Sequence, residues 1–136
     1  MRSSSPEATG AAAEELAARL RPGDVVLVRG EMGSGKTTFV RAACRALGVT
    51  GPVTSPTFTI GHLYDAPNGR IAHLDLHRLA GLQHEDPALL ADYLEPGVIA
   101  FVEWPEVAAS ELTPAYEVLL RHAGGDERDL EVTACS

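Results

Sequence analysis

The chain has 136 residues, 45% of them hydrophobic, and a formal net charge of −8. That length supports one core and one site, so we expect a single domain over residues 1–136, with residues 1–5 disordered. The excess of acidic residues argues against direct binding of nucleic acid. The chain has two cysteines far apart, which predicts no disulfide. It has no apolar run of membrane-spanning length and no signal peptide, so we expect a cytoplasmic protein without membrane contact.

The first predicted element is a helix that begins after Ser5-Pro6, because serine is a favourable N-cap and proline is tolerated in the first turn. Pro22-Gly23 ends a stripe of apolar residues at helical spacing, formed by Ala13, Leu16, Ala17 and Leu20. We expect this helix to lie against a sheet.

The next segment, Gly30-Glu31-Met32-Gly33-Ser34-Gly35-Lys36-Thr37, matches the phosphate-binding pattern G-x-x-x-x-G-K-T. Glycines let backbone N–H groups approach an anion, the lysine reaches the β- and γ-phosphates, and the threonine hydroxyl ligates Mg²⁺. An apolar strand, Val25–Val28, precedes this loop, and a helix with an apolar stripe follows it up to Gly48. This order favours a phosphate site over the alternative, a glycine-rich turn that binds nothing.

The rest of the chain is typical of strands. Phe58–Tyr64 and Ile71–Leu76, joined by turn residues, predict a β-hairpin, and Val98–Val102 predicts a buried central strand. Residues 116–120 and 130–133 predict a second hairpin. The predicted fold class is α/β: a P-loop NTPase-like three-layer sandwich with a mixed, mainly parallel central sheet and antiparallel hairpins.

Two acidic residues follow predicted strands, where a phosphate loop needs a partner for Mg²⁺. Glu103 comes directly after the run from Val98, and we predict that it binds the metal; the alternative is a strand-end glutamate that reaches solvent. Asp75 shares a strand face with Ile71 and His73. It could bind Mg²⁺ through water, orient an attacking water, or pair with Arg78 as a structural ion pair.

Hydroxyl and ring side chains supply further candidates. Thr54, Ser55 and Thr57 follow the phosphate-loop helix, where switch segments sense a γ-phosphate, although they could also be ordinary turn residues. Trp104 is either a core residue or part of the pocket beside Glu103. His73 and His77 are four residues apart, but this segment predicts a strand, so we do not expect a histidine metal site.

The nucleotide and the reaction class follow less directly from the sequence. The chain has no N-K-x-D stretch to read guanine, which favours ATP over GTP. Besides an ATPase, the residues leave open a small-molecule kinase that uses Arg78 on an acceptor. They also leave open a nucleotide-dependent assembly switch without hydrolysis.

Four ordered motifs resemble the TsaE family, also called YjeE: Gly30–Thr38, Ser55–Phe58, His73–Leu79 and Val102–Pro105. The resemblance extends from about Thr9 to Arg128. TsaE is the bacterial ATPase subunit of tRNA threonylcarbamoyladenosine (t⁶A) biosynthesis, so the resemblance implies a P-loop α/β domain with a mixed sheet that takes ATP and Mg²⁺.

The resemblance also implies residue roles. Mg²⁺ is held by Thr37 and Glu103, while Asp75, Lys36 and the switch-like Thr57 serve hydrolysis. Thr9 matches a threonine that precedes the first helix near the nucleotide, and Trp104 belongs to a Glu-Trp-Pro signature at the pocket. The residues that bind ATP are then Thr9, Glu31, Met32, Gly33, Ser34, Gly35, Lys36, Thr37, Thr38 and Trp104.

By the same resemblance, the partners are the TsaB and TsaD proteins. The resemblance implies that TsaD transfers the threonylcarbamoyl group to an adenosine of tRNA and that this chain contacts tRNA only through the complex. It also implies that ATP turnover by this chain resets the complex between cycles. We expect the isolated chain to be a monomer. Two positions depart from the family pattern: His77 replaces a usual tyrosine, which leaves packing or partner contact there open, and Met32 replaces a common leucine.

Overall fold

The computed structural model describes residues 2–3, 5–31, 35–53, 61–67, 69–76, 93–104, 112–125 and 127–135. Within these residues the chain forms seven strands and two helices. In chain order they are β1 (Arg2–Ser3), α1 (Pro6–Ala17), β2 (Val25–Gly30), α2 (Lys36–Ala46), β3 (Gly61–Ala66), β4 (Gly69–Asp75), β5 (Val98–Glu103), β6 (Tyr116–Gly124) and β7 (Glu127–Ala134).

All seven strands belong to one mixed sheet, in the order β1-β7-β6-β2-β5-β4-β3. Four adjacent strands, β6, β2, β5 and β4, are parallel to one another. The hairpins β3–β4 and β6–β7 add antiparallel strands on either side. All six residues of β5 are buried, as expected for an apolar run inside a parallel sheet. Both predicted hairpins and the mixed α/β sheet are therefore confirmed.

Residues near the N-terminus form a short strand and the cap of α1. Arg2 and Ser3 pair antiparallel with β7, because that edge strand offers unpaired backbone groups on its outer side. Ser5 caps α1 as predicted, since its hydroxyl accepts a hydrogen bond of 3.1 Å from the N–H of Ala8. The disorder of residues 1–5 stays a prediction.

The sheet has a core on each face because successive strand residues point to opposite sides. On one face α1 and α2 pack over alternate strand residues such as Val26, Val28 and Phe101. On the other face Leu27, Leu74 and Val102 pack with the loop residues Leu76 and Leu112. Odd-numbered residues of β4 and β5 therefore face the helices, which sets the direction of Asp75 and Glu103.

Helix α2 follows the prediction from its sequence. Its buried stripe includes Phe39, Val40 and Ala43, and the chain leaves it at Gly48, whose φ of 98° is the left-handed conformation that glycine adopts readily. Burial also raises the pKa of the Cys44 thiol in this helix to about 12, which leaves it unreactive at neutral pH. No helix among the described residues is long and apolar enough to cross a membrane.

Candidate functional site

The candidate site begins where β2, the middle strand of the sheet, leads into α2. Gly35 is the N-cap of α2 and has a φ of 101°, a left-handed conformation that a side chain would disfavour. Because Gly35 has no side chain to cap the helix, the N–H groups of the first turn remain directed toward the loop. Met32, Gly33 and Ser34, predicted to bind nucleotide, lie outside the described residues.

Lys36, the first residue of α2, is only 6% exposed. Its ammonium donates hydrogen bonds to the carbonyl oxygens of Gly30 and Glu31, the latter at 3.3 Å. The same nitrogen lies 3.8 Å from the centroid of the Trp104 ring. These contacts hold a nearly buried cation beside the start of the helix, where an anionic ligand is favoured.

Trp104 is the only non-glycine residue with a positive φ among the described residues, at 57°. A bulky residue rarely adopts this conformation, which costs about 1–3 kcal/mol. The turn directly follows β5 and places the indole over Lys36. Trp104 therefore lies beside the lysine of the phosphate loop, and its role toward a nucleotide stays a prediction.

Glu103 ends β5 with only 3% of its surface exposed, which excludes the alternative of a glutamate that reaches solvent. It pairs in register with Val28, two residues before the end of β2. Its carboxylate therefore lies one strand away from the start of the phosphate loop, a lateral separation of about 4.8 Å between strands.

Asp75 ends β4 and pairs in register with Glu103, so the two carboxylates leave neighbouring strands on the same face. Asp75 is half-buried and lies two strands from β2. This order places Glu103 nearer to the phosphate loop and Asp75 farther out. Arg78, the alternative partner of Asp75, lies outside the described residues.

His73 is a third titratable residue on this face, and it is completely buried. Its Nε2 forms a short contact with the Oε2 of Glu103. The sequence predicts that His73 shares a strand face with Asp75 and does not bind a metal, but it does not predict this contact with Glu103. The signal that could have found this contact is its position two residues before Asp75, which puts both side chains on one face of β4.

The donor set fits Mg²⁺ bound together with a nucleotide. Among the described residues, no group of three or more His, Cys, Asp or Glu side chains forms a metal-binding cluster. Mg²⁺ is usually held by one or two carboxylates plus substrate phosphates and water, not by an all-protein cage. The carboxylates of Glu103 and Asp75, together with the Thr37 hydroxyl in the first turn of α2, match that requirement.

The β6–β7 hairpin contacts the phosphate loop at Glu31 and lies close to it at Gly35, which the sequence does not predict. The backbone N–H of His122 donates a 3.1 Å hydrogen bond to Oε1 of Glu31, so this predicted nucleotide-binding residue ties the loop to β6. Across the loop, Nε of Arg128 lies 3.9 Å from where a Cβ on Gly35 would be. No sequence motif contains Arg128, because its proximity depends on the register of β6 and β7.

The remaining predicted site residues fall into three groups. Thr37 and Thr38 are half-buried in the first turn of α2, as the motif requires. Thr9 is buried, but it lies within α1 instead of before it, since Ser5 already caps that helix; its role toward a nucleotide stays a prediction. Thr57, with the neighbouring switch candidates Thr54 and Ser55, lies outside the described residues.

Comparisons with known proteins place this chain in one family. The family model described as "Threonylcarbamoyl adenosine biosynthesis protein TsaE" matches residues 3–130. A Bacillus subtilis protein named "tRNA threonylcarbamoyladenosine biosynthesis protein TsaE" is 36% identical over 134 residues, which cover 98% of this chain and 84% of the relative. A Streptomyces coelicolor protein of the same name is 40% identical over 119 residues, covering 84% and 79%.

The fold also has a solved counterpart. A crystal structure of Bacillus subtilis YdiB is similar to the whole of this chain, with a TM-score of 0.79 and 33% sequence identity, and the match covers 84% of the YdiB chain. The similarity therefore includes the sheet, both helices and the strand ends that carry the candidate site.

Proposed function

Because the chain belongs to the TsaE family of threonylcarbamoyl adenosine biosynthesis proteins, we propose that it is the Mg²⁺-dependent ATPase subunit of t⁶A modification of tRNA. One observation carries the proposal. A nearly buried lysine begins the helix after a glycine-rich loop, and two carboxylates end the neighbouring strands on the helix-facing side of the sheet.

In this proposal the triphosphate of ATP binds at the N-terminus of α2. The first-turn N–H groups and the helix dipole favour an anion, and Lys36 supplies a point charge for the β- and γ-phosphates. The carbonyl oxygens of Gly30 and Glu31 accept hydrogen bonds from the ammonium and hold it at the start of the helix. Trp104 closes the same side and excludes water from Lys36.

Thr37 and Glu103 would hold Mg²⁺ in this site. When bound, Mg²⁺ would supply positive charge that stabilises the negative charge developing during phosphoryl transfer. Asp75, one strand farther from the loop, accepts a hydrogen bond from the attacking water and so orients it. In this proposal the carboxylate nearer to β2, Glu103, binds the metal, and the one farther from β2, Asp75, positions the water.

We further propose that TsaB and TsaD are the partners, with TsaD carrying out the transfer to tRNA and ATP turnover on this chain resetting the complex. The chain belongs to a family described as threonylcarbamoyl adenosine biosynthesis proteins. Its net charge of −8 suits a subunit that meets tRNA through other proteins.

Phosphate release with and without TsaB and TsaD tests this proposal. The isolated chain should hydrolyse ATP slowly, and adding both partners should stimulate turnover. Asp75→Asn should lower the stimulated rate by about 100-fold or more while changing ATP affinity little. The amide can still accept a hydrogen bond from the water but cannot take its proton, and loss of a general base costs about 10²–10⁴-fold. The exposed Asp65→Asn, in the β3–β4 hairpin, is the matched control and should behave like the wild type.

Unchanged turnover on adding both partners would contradict the proposal. Phosphorylation of a metabolite, in place of free phosphate, would instead support a small-molecule kinase. Full multi-turnover tRNA modification with a non-hydrolysable ATP analogue would support an assembly switch without hydrolysis.

A further inference from the structure

We infer that His73 is a positioning residue for Mg²⁺: its Nε2–H holds one oxygen of the Glu103 carboxylate and leaves the other oxygen for the cation. This inference rests on the proposed function, because it concerns the same metal site. It assigns a role to a buried side chain that the mechanism above does not use.

The environment of the pair supports a specific contact. His73 is completely buried and Glu103 is 3% exposed, so water cannot replace the hydrogen bond between them. An ionised carboxylate in such a place needs a donor. Among the described residues, the hydrogen bond found for the Glu103 carboxylate comes from Nε2 of His73. The histidine therefore fixes the rotamer of a side chain that would otherwise be free to turn about its last bond.

The second ring nitrogen shows that this histidine is not there for packing alone. Nδ1 of His73 is the only buried side-chain nitrogen or oxygen within the described residues that has no hydrogen-bond partner. An unsatisfied buried polar atom destabilises the fold, and an apolar side chain of similar size would avoid that cost. The arrangement is explained if Nε2 carries the proton that Glu103 needs, which leaves Nδ1 as a bare acceptor.

Register confirms that the contact is built into the sheet. His73 pairs with Phe101 and Asp75 pairs with Glu103, so the histidine reaches diagonally to the carboxylate of the neighbouring strand. Residues that hydrogen-bond to metal ligands typically contribute about 10- to 100-fold to metal affinity. We expect an effect of that size on Mg²⁺ and little effect on the nucleotide itself.

Two variants with the same chemistry but different reach test the inference. In His73→Gln the side-chain amide can occupy the place of Nε2 and donate to Glu103, whereas the shorter His73→Asn amide ends near the place of Nδ1. Mn²⁺ serves as the probe, with its binding to the protein–ATP complex measured by electron paramagnetic resonance in the absence of turnover. ATP binding in EDTA, followed by the fluorescence of Trp104, the single tryptophan, is the second readout.

We expect His73→Asn to weaken Mn²⁺ binding by about 10-fold or more. The Mn²⁺ affinity of His73→Gln should stay within about threefold of the wild type. Neither variant should change ATP binding in EDTA. Equal Mn²⁺ affinity in all three proteins would overturn the inference and leave the proposed function intact. Equal losses in both variants, with ATP binding in EDTA also reduced, would reveal a structural role instead. A wild type that binds ATP without any effect of divalent cations would refute the proposed function itself.

Discussion

Glu103 and Trp104 are consecutive residues of the candidate site with different contacts, since Glu103 contacts His73 and Trp104 contacts Lys36. The carboxylate of Glu103 stays on the helix-facing side of β5, and the chain then turns through a φ of 57° to lay the indole over Lys36. The contact between the ammonium and the ring contributes about 0.5–2 kcal/mol, which offsets part of the backbone strain. The strained backbone at Trp104 thus brings its indole against Lys36.

A substitution at Glu103 should separate function from stability. In Glu103→Gln the side-chain oxygen can still accept the hydrogen bond from His73, but the negative charge is lost. We expect Mg²⁺-dependent ATP binding to weaken by at least about tenfold, because the metal loses a charged ligand. The melting temperature without nucleotide should stay the same or rise, since a buried carboxylate is costly to desolvate.

The exposed Glu95→Gln is the control for this experiment, because its ion pair with Arg70 lies on the surface. Calorimetric melting and ATP binding with and without Mg²⁺ provide the measurements. A large drop in melting temperature for Glu103→Gln, with metal dependence intact, would show that Glu103 is a structural residue.

The sequence predicted those site residues whose roles follow from local pattern. Lys36 and Thr37 belong to a contiguous motif, and Glu103 and Asp75 end recognisable strands. His73 and Arg128 could not be assigned in this way, because their contacts depend on strand register across the sheet. Register follows from packing of the whole sheet, which a local pattern does not specify.

At the scale of elements, the β3–β4 hairpin supports the site from outside. It supplies β4, which carries His73 and Asp75, and its first residue, Gly61, lies against the aromatic ring of Tyr93. A Cβ on Gly61 would contact Leu74, lie 2.9 Å from Tyr93 Cε1 and lie 3.2 Å from the carbonyl oxygen of His73. The start of β3 therefore has no space for a side chain.

We predict that Gly61→Ala lowers the free energy of unfolding by about 1–3 kcal/mol, the usual cost of overpacking. Gly97→Ala is the matched control, because a Cβ there would meet nothing within 4 Å. Chemical denaturation of the two variants and the wild type measures the difference. Equal stability of the two variants would show that β3 can shift away from β4 at little cost.

Element prediction succeeded where the sequence pattern was strong. The apolar run of β5 and the alternation of the hairpins gave strands close to those observed, and Ser5 marked the start of α1. The two-residue strand β1 could not be predicted, because it is too short for a period and forms only by pairing with β7. The apolar stripe also continued to Leu20, although α1 ends at Ala17.

At the scale of the whole molecule, the strand order determines which residues of the candidate site lie close together. Strands β2, β5 and β4 lie side by side and parallel, so their carboxyl ends share one edge of the sheet. The phosphate loop follows β2, and the two carboxylates end the next two strands. Ligands of open α/β sheets bind at this edge, and the crystal structure of Bacillus subtilis YdiB has a similar fold.

The charge of the molecule gives a prediction about tRNA. With a net charge of −8, the isolated chain should not retard tRNA in a gel at protein concentrations up to about 10 µM in about 0.15 M salt. Addition of TsaB and TsaD should bring the chain into a complex that contains tRNA. Retardation by the isolated chain, weakened by added salt, would show direct electrostatic contact with tRNA and contradict the proposed division of labour.

The central claim is that Mg·ATP binds at the start of α2, and one calorimetric titration tests it most directly. Lys36 is the only lysine in the chain, so Lys36→Met removes the one ammonium side chain while keeping its length. Both proteins are titrated with Mg·ATP at two temperatures. The wild type should show one binding site, and Lys36→Met should bind Mg·ATP at least about tenfold more weakly. This is the loss of affinity expected when a charged hydrogen bond is removed. No binding heat from the wild type at either temperature, or the same affinity in both proteins, would contradict the account.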